Sequence, residues 1–154
     1  MPTYAAHTTV GADRSRAEIE RTLERYGATS FAYGWQKDIA VISFEARDRR
    51  IRLTLTMPHL EQFRWTATHQ RRSDNSTREA WEQAKRQRWR ALALYVKAKL
   101  EAIEAGIISF EDAWLPHTVL PDGRTVSEWL QPQLADALAE NQLPSLLPAP
   151  GVDR

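Results

Sequence analysis

A long run without glycine or proline is the feature that most constrains how this chain can fold. No glycine or proline lies between Ser76 and Gly106, and Ser76-Thr77-Arg78-Glu79 has the pattern of a capping box. The run predicts a single helix of about 30 residues. Its large apolar residues fall on one arc of the helix, beside a separate stripe formed by Arg86, Arg90 and Lys97. We therefore expect a long helix with a core face and a basic face.

Three short segments before this helix have the composition and alternation of β-strands. They span residues 31–35, 39–44 and 50–57, and the polar connections 36–38 and 47–49 join them. Connections this short predict an antiparallel three-stranded meander. The third segment alternates apolar residues with Arg50, Arg52, Thr54 and Thr56. One face of the sheet is therefore predicted to be apolar, and the other to carry arginine.

Helical patterns flank this central region on both sides. Ser15-Arg16-Ala17-Glu18 is a second capping-box pattern, which predicts a helix over about residues 16–26. After Gly106, Ser109 and Thr125 can each cap a short helix, and Pro132 predicts a kink or a new helix start. The predicted fold is α+β, with an N-terminal helix, a three-stranded antiparallel meander, a long helix packed on the sheet and short C-terminal helices. We expect an α-β-β-β-α core at residues 1–106, a helical C-terminal region at 107–143 and a Pro-rich tail at 144–154.

Several classes of chemistry lack their usual residues in this chain. There is no cysteine, and the four histidines have no zinc-site spacing. No Gly-x-Ser-x-Gly elbow and no Gly-rich phosphate loop occurs. We therefore predict no catalytic residue, no metal site and no cofactor, and a binding protein rather than an enzyme. The absence of a signal sequence or a long apolar run predicts a cytoplasmic protein with no membrane partner.

The charge of the chain is strongly segregated along the sequence. Residues 1–46 contain 5 Lys/Arg and 6 Asp/Glu, residues 47–99 contain 14 and 5, and residues 100–154 contain 2 and 9. The net charges are therefore −1, +9 and −7, although the whole chain carries only +1. A basic middle followed by an acidic end indicates a surface that faces a polyanion, joined to a region of opposite charge.

Nucleic acid is the polyanion that this basic segment fits best. Lys and Arg held on one surface displace phosphate counterions, and Arg also binds phosphate through two parallel hydrogen bonds. The predicted nucleic-acid-binding residues lie on the second hairpin and third strand, on the following loop and on the long helix. They are Arg47, Arg49, Arg50, Arg52, Arg64, Trp65, Arg71, Arg72, Arg86, Arg90 and Lys97. The alternative is that these cations form solvated faces, some of them paired with the acidic segment.

Aromatic residues offer two further sites for base stacking. Phe31, Tyr33 and Trp35 alternate and so share one face of their strand. If that face also bears Arg50 and Arg52, the three rings form a stacking platform; otherwise they belong to the core against the long helix. Trp65, on the loop that we predict to be mobile, is the better candidate for an exposed stacking residue.

The basic part of the long helix and the turn that follows it resemble known sequences. The chain resembles small uncharacterised proteins of bacteriophages and prophages in four segments: Arg86-Gln87-Arg88-Trp89-Arg90-Ala91-Leu92, Lys97-Ala98-Lys99-Leu100-Glu101-Ala102, Leu120-Pro121-Asp122-Gly123-Arg124-Thr125 and Glu128-Trp129-Leu130. The resemblance implies a phage or mobile-element origin and carries no functional residue with it. The order helix, three strands, helix is similar to that of double-stranded RNA-binding domains. The similarity is one of element order, because residues 58–75 separate the third strand from the long helix, which opens with Ser76-Thr77-Arg78-Glu79.

Two functions follow from these features. The first is a non-enzymatic accessory protein that binds DNA or RNA through a basic groove made by sheet, loop and helix. The acidic region would then compete for that groove, so truncation near Gly106 would strengthen binding. The alternative is a protein interaction module, an inhibitor, adaptor or assembly protein with complementary charged surfaces. Trp114 and Trp129 are its predicted partner-binding residues, and it could form a homo-oligomer.

Overall fold

The computed structural model describes residues 11–142, and its elements follow the predicted order. One helix precedes a three-stranded antiparallel sheet, a long helix comes next, and short helices end the described part. The elements are α1 (Ala12–Arg25), β1 (Ser30–Gln36), β2 (Ile39–Ala46), β3 (Arg49–Thr56), α2 (Asp74–Glu104), α3 (Phe110–Trp114) and α4 (Val126–Glu140), with 3-10 turns at Leu60–Phe63 and Leu115–His117. The predicted α+β class is confirmed. The Pro-rich tail predicted at 144–154 lies outside the described residues.

Two of the four predicted helix starts are displaced by a few residues. Helix α1 begins at Ala12 with Gly11 as its N-cap, so Ser15 does not cap it. Ser15 instead lies in the first turn with its side chain buried. Helix α2 begins at Asp74, because the Ser73 hydroxyl accepts a hydrogen bond from the Ser76 amide at 3.1 Å. In both places a residue upstream of the predicted cap begins the helix.

The caps predicted for the two short helices after Gly106 are confirmed. The Ser109 hydroxyl accepts a hydrogen bond from the Asp112 amide at 3.0 Å. At α4, the Thr125 hydroxyl accepts from the Glu128 amide at 3.2 Å, and the Glu128 carboxylate accepts from the Thr125 amide at 2.7 Å. This reciprocal pair is a complete capping box. Helix α4 continues through Pro132, so this proline does not begin a new helix.

The sheet has the order β1-β2-β3, and two-residue turns join its strands. Arg47 and Asp48 in the second turn both have positive φ, 51° and 60°, as a type I′ hairpin turn requires. The apolar residues of β3 face inward, with Ile51 and Leu53 buried, whereas Arg50 and Arg52 lie on the opposite, outer face. The predicted division of β3 into an apolar and an arginine face is confirmed.

Helices α1, α2 and α3 contribute to one core with the apolar face of the sheet. The buried residues of this core come from strands β2 and β3 and from all three helices. Its buried members are Ile19, Leu23, Ala40, Ile42, Phe44, Ala46, Ile51, Leu53, Trp89, Ala93, Val96, Leu100, Phe110, Ala113 and Trp114. The core therefore continues past Gly106 into α3.

The acidic C-terminal region packs on the rest of the fold. The Trp114 ring meets Phe44 of the central strand edge to face, with 5.3 Å between centroids. The Val119 amide donates to the Arg50 carbonyl at 2.9 Å, so the chain after α3 runs along the free side of β3. Trp114, which we predicted to bind a partner, is 0% exposed and is a core residue. That prediction was wrong, because a ring enclosed on all sides cannot contact another protein.

Candidate functional site

The arginines of the outer sheet face are engaged with carboxylates of the same chain. Arg50 donates to the Glu45 carboxylate at 2.9 Å, across the β2–β3 pairing. Arg52 donates to Glu128 of α4 at 2.8 Å and to the Gly123 carbonyl at 2.8 Å. The alternative interpretation, in which basic residues pair with the acidic segment, holds for Arg52.

The loop between β3 and α2 is shaped by two of its predicted binding residues. Arg64 donates to Glu61 at 2.8 Å and to Asp74 at 2.9 Å, and the hydrogen bond from Arg64 lowers the pKa of Glu61. Arg72 donates to the Phe63 carbonyl at 3.0 Å. The loop that we predict to be mobile is closed by these side chains and by a bridge between Trp65 and Arg71. Trp65 remains 57% exposed, as predicted.

The three cations of the basic stripe of α2 differ in their partners within residues 11–142. Arg90 donates to Glu18 of α1 at 2.5 Å, so it ties the two helices together. Arg86 donates to the Gln83 side-chain oxygen at 2.6 Å and meets no carboxylate within residues 11–142. Lys97 is exposed and contacts no partner in the same part of the chain.

The predicted cations do not share one surface. Arg50 and Arg52 lie on the outer face of the sheet, whereas α2 contributes to the core on the opposite face. Arg47, at the second hairpin turn, lies over the Phe110 ring at 5.2 Å, and Arg49 beside it is half-buried. A single groove made by sheet, loop and helix is therefore not formed, because the sheet itself separates these side chains.

A cleft of about 530 Å³ lies between the start of α1, the β1–β2 turn and the first half of α2. Aromatic and charged side chains both line it. Its aromatic lining residues are Tyr33, Trp35, Trp81 and Trp89, and its charged ones are Asp13, Arg16, Lys37, Asp38, Glu82, Lys85 and Arg86. A cleft of this size can take one small planar group.

Several of these groups already satisfy one another. The Arg16 guanidinium lies over the Tyr33 ring at 4.6 Å and the Trp89 ring at 5.1 Å. It also pairs with Asp13. On the opposite wall, the Lys85 ammonium lies 3.7 Å from the centre of the Trp81 ring. These contacts fix the walls of the cleft and leave few groups for a ligand.

The other lining groups include the ring of Trp35, the cations Lys37 and Arg86, and the Asp38 carboxylate, which lies 3.0 Å from His59. Trp35 is 72% exposed and has no cation over its ring within the described part of the chain. Lys37 follows it in the β1–β2 turn, and neither Lys37 nor Arg86 has a carboxylate partner in residues 11–142. An open indole that shares a cleft with two cations without a carboxylate partner in the described residues is a combination that can bind a stacked, anionic ligand.

The sequence left two places open for this ring, a platform with Arg50 and Arg52 or the core side against the long helix, and the structure has the second. Phe31, Tyr33 and Trp35 pair with the core residues Phe44, Ile42 and Ala40, so all three lie on the helix side and form no platform with Arg50 and Arg52. Exposure then rises along the strand, from partly buried Phe31 to 39% at Tyr33 and 72% at Trp35. Alternation predicts the shared face. How far the helices cover each ring depends on tertiary packing.

The C-terminal helix offers a less enclosed surface. Trp129 is half-buried, and α4 has no buried residue, with Leu134 and Leu138 exposed. Trp129 thus stays a candidate partner-binding residue where Trp114 does not.

The described titratable groups include no cluster typical of catalysis. Burial, followed by the charge of Lys99, lowers the pKa of His117, which lies 3.0 Å from the Tyr95 hydroxyl. Within residues 11–142 there is no group of three or more His, Asp or Glu side chains that could hold a metal ion. In the same residues no helix is both long and apolar enough to cross a membrane.

Comparisons of the chain with models of protein families, with curated proteins and with solved structures found no match. The interpretation of the site therefore depends on its own chemistry.

Proposed function

We propose that this chain is a non-enzymatic accessory protein that binds single-stranded nucleic acid, of the phage or mobile-element type that its sequence resembles. One observation carries the proposal: the exposed Trp35 ring stands beside Lys37 and Arg86, two cations with no carboxylate partner in the described residues. The ring would stack on a base, and the cations would contact the neighbouring phosphates.

A single strand fits this cleft better than a duplex. Stacking on Trp35 requires a base whose face is free, and in a duplex both faces are covered by neighbouring base pairs. The cations that could contact a duplex backbone are divided between two faces of the sheet, with Arg52 and Arg90 already paired to carboxylates. The proposal accordingly keeps Arg86 from the predicted binding set and adds two cleft residues that the set did not contain, Trp35 and Lys37.

Fluorescence anisotropy with a short labelled oligothymidine tests the proposal. We expect binding that weakens between about 50 and 200 mM salt, because phosphate contacts release counterions. Trp35→Ala should reduce the affinity by about tenfold, since one stacked base contributes roughly 1–3 kcal/mol. The double variant Lys37→Glu with Arg86→Glu should also flatten the dependence on salt.

Lys97→Glu is the matched control, because Lys97 is an exposed cation of α2 that has no partner in residues 11–142 and does not line the cleft. It should bind the oligomer within about twofold of the wild type, as expected for a loss limited to long-range attraction that salt screens. Failure of the wild-type protein to bind at low salt would reject the function. A Lys97→Glu loss as large as that of the cleft double variant would reject the site.

A protein interaction module is the alternative function. The segregated charges that first suggested it are weaker support in the folded chain. Part of the charge complementarity is used within the chain, where Arg52 pairs with Glu128. Strand β1 is at the end of the order β1-β2-β3, and no described segment pairs with its outer side. This edge supports an interaction module more directly than the segregated charges do.

A further inference from the structure

The two edges of the sheet differ in how the chain covers them. At β3 the Val119 amide donates to the Arg50 carbonyl, and Thr118 bridges to Ile51. Within residues 11–142 no segment pairs with the outer side of β1. Six of the seven residues of β1 are exposed, and Phe31 is the exception. Strand β1 is therefore an open edge seven residues long.

Strand β1 also lacks the features by which proteins block such edges. Its sequence, Ser-Phe-Ala-Tyr-Gly-Trp-Gln, contains no charged residue and no proline. Its pairing with β2 is continuous from Ser30 to Gln36, with no bulge to twist the edge away. Exposed strands are normally protected by charges, prolines or bulges, because an unprotected edge pairs with other strands.

The register shows which backbone groups of β1 point outward. The Met57 amide donates to the Asp38 carbonyl at 2.6 Å, so hydrogen-bonded pairs with β3 recur at the even-numbered residues of β2. The odd-numbered residues of β2 therefore bond to β1, where their partners are the even-numbered residues. The N–H and C=O groups of Phe31, Tyr33 and Trp35 are left pointing away from the sheet.

We propose that two copies of this chain pair through β1, antiparallel, about a two-fold axis at Tyr33. In this register Tyr33 lies opposite its own copy and Phe31 lies opposite Trp35. On the outer face Ala32 lies opposite Gly34, and the polar ends Ser30 and Gln36 meet. All three odd-numbered pairs present outward N–H and C=O groups to each other, so each can form two hydrogen bonds. The result is a continuous six-stranded sheet.

The pattern of β1 favours a second copy over an unrelated strand. A two-fold interface must be self-complementary, and β1 reads the same in both directions as polar, aromatic, small, aromatic, small, aromatic, polar. Cross-strand aromatic pairs also stabilise antiparallel strands. A register shifted by two residues along the partner puts Phe31 opposite Lys37, outside the strand. A shift by one residue pairs outward-pointing backbone groups with inward-pointing ones.

Sedimentation equilibrium of the full chain, free of nucleic acid, measures this association. We expect a monomer–dimer equilibrium in which the dimer persists at high salt. Head-to-tail association of opposite charges would instead dissociate at high salt. Gly34→Lys should weaken the dimer at least tenfold, because it places a charge on the edge. No atom lies within 4 Å of a Cβ built at Gly34, so the monomer tolerates the change. Gly34→Thr, the uncharged control at the same position, should retain the dimer.

A disulfide test reports the register directly. The chain has no cysteine, so a single introduced cysteine can form a disulfide only between two copies. At Tyr33 the two Cα atoms of the proposed pair are about 5.5 Å apart, within the range that a disulfide spans. Tyr33→Cys should therefore cross-link much faster than Thr56→Cys, an exposed position on β3.

Three outcomes would overturn the proposal: a wild-type chain that is monomeric at all concentrations, a dimer that Gly34→Lys leaves intact, or equal cross-linking of the two cysteine variants. Nucleic acid is absent from these measurements, so they stand or fall separately from the proposed binding function.

Discussion

Two buried hydroxyl groups near the helix starts differ in their hydrogen bonding. The Thr77 hydroxyl donates to the Ser73 carbonyl at 2.8 Å, in the first turn of α2. The Ser15 hydroxyl, in the first turn of α1, has no partner within residues 11–142. A buried polar group without a partner loses its hydration and gains nothing in return. Because the two residues are equally buried, a comparison of their variants measures the contribution of the hydrogen bond to stability.

We expect opposite effects when these hydroxyls are removed. Thr77→Val keeps the side-chain shape and should lower the free energy of unfolding by about 1 kcal/mol, the net value of a hydrogen bond. Ser15→Ala removes a desolvated group and should leave that free energy unchanged or raise it by up to about 1 kcal/mol. Urea unfolding followed by circular dichroism measures both. A Ser15→Ala variant destabilised as much as Thr77→Val would show that the Ser15 hydroxyl has a partner.

At the scale of elements, α4 is attached mainly through its first turn. It has no buried residue along Val126–Glu140, so packing contributes little to its position. Its N-terminus instead joins the capping box of Thr125 and Glu128 to the ion pair with Arg52 on β3. One carboxylate thus both caps the helix and links it to the sheet.

This attachment should weaken in acid. The hydrogen bond from the Thr125 amide, helped by the charge of Arg52, lowers the pKa of Glu128 below the ordinary value of a glutamate. A carboxylate with a lowered pKa stabilises the fold above its unfolded pKa, and this contribution is lost as the pH falls through the folded value. The Thr125 amide resonance, followed by NMR, should therefore titrate with a midpoint below the ordinary pKa of a glutamate. In Glu128→Gln, which cannot ionise, that titration should disappear; if it persists, another group causes it.

At the scale of the whole molecule, the acidic region contributes residues to the hydrophobic core. From the sequence alone we expect it to compete with nucleic acid for a basic groove. Phe110, Ala113 and Trp114 complete the core that α1, the sheet and α2 begin. Lys99 of α2 donates to the Ala113 carbonyl at 2.6 Å and lies over the Trp114 ring at 5.4 Å. Removing this region exposes the core rather than uncovering a basic groove.

A chain that ends at Gly106 should therefore fail to fold cooperatively. Loss of a buried tryptophan alone costs about 3–5 kcal/mol, a large part of the 5–15 kcal/mol that stabilises a typical domain. A chain that ends at Gln142 is the control, because it retains every described residue. Thermal unfolding should give a sharp transition for the control and none for the shorter chain. A folded shorter chain that binds nucleic acid more tightly would restore the competition hypothesis.

What the sequence determined by itself depends on short-range patterns. The alternation in β3 predicts its two faces, the absence of Gly and Pro predicts α2, and the Thr125–Glu128 spacing predicts a capping box. Each involves residues a few positions apart, whose geometry is set by the local backbone. Tertiary structure alone decided that Arg52 meets Glu128, that Trp114 is buried and that Trp35 is open. These outcomes depend on how elements distant in sequence pack together, and no local pattern encodes that packing.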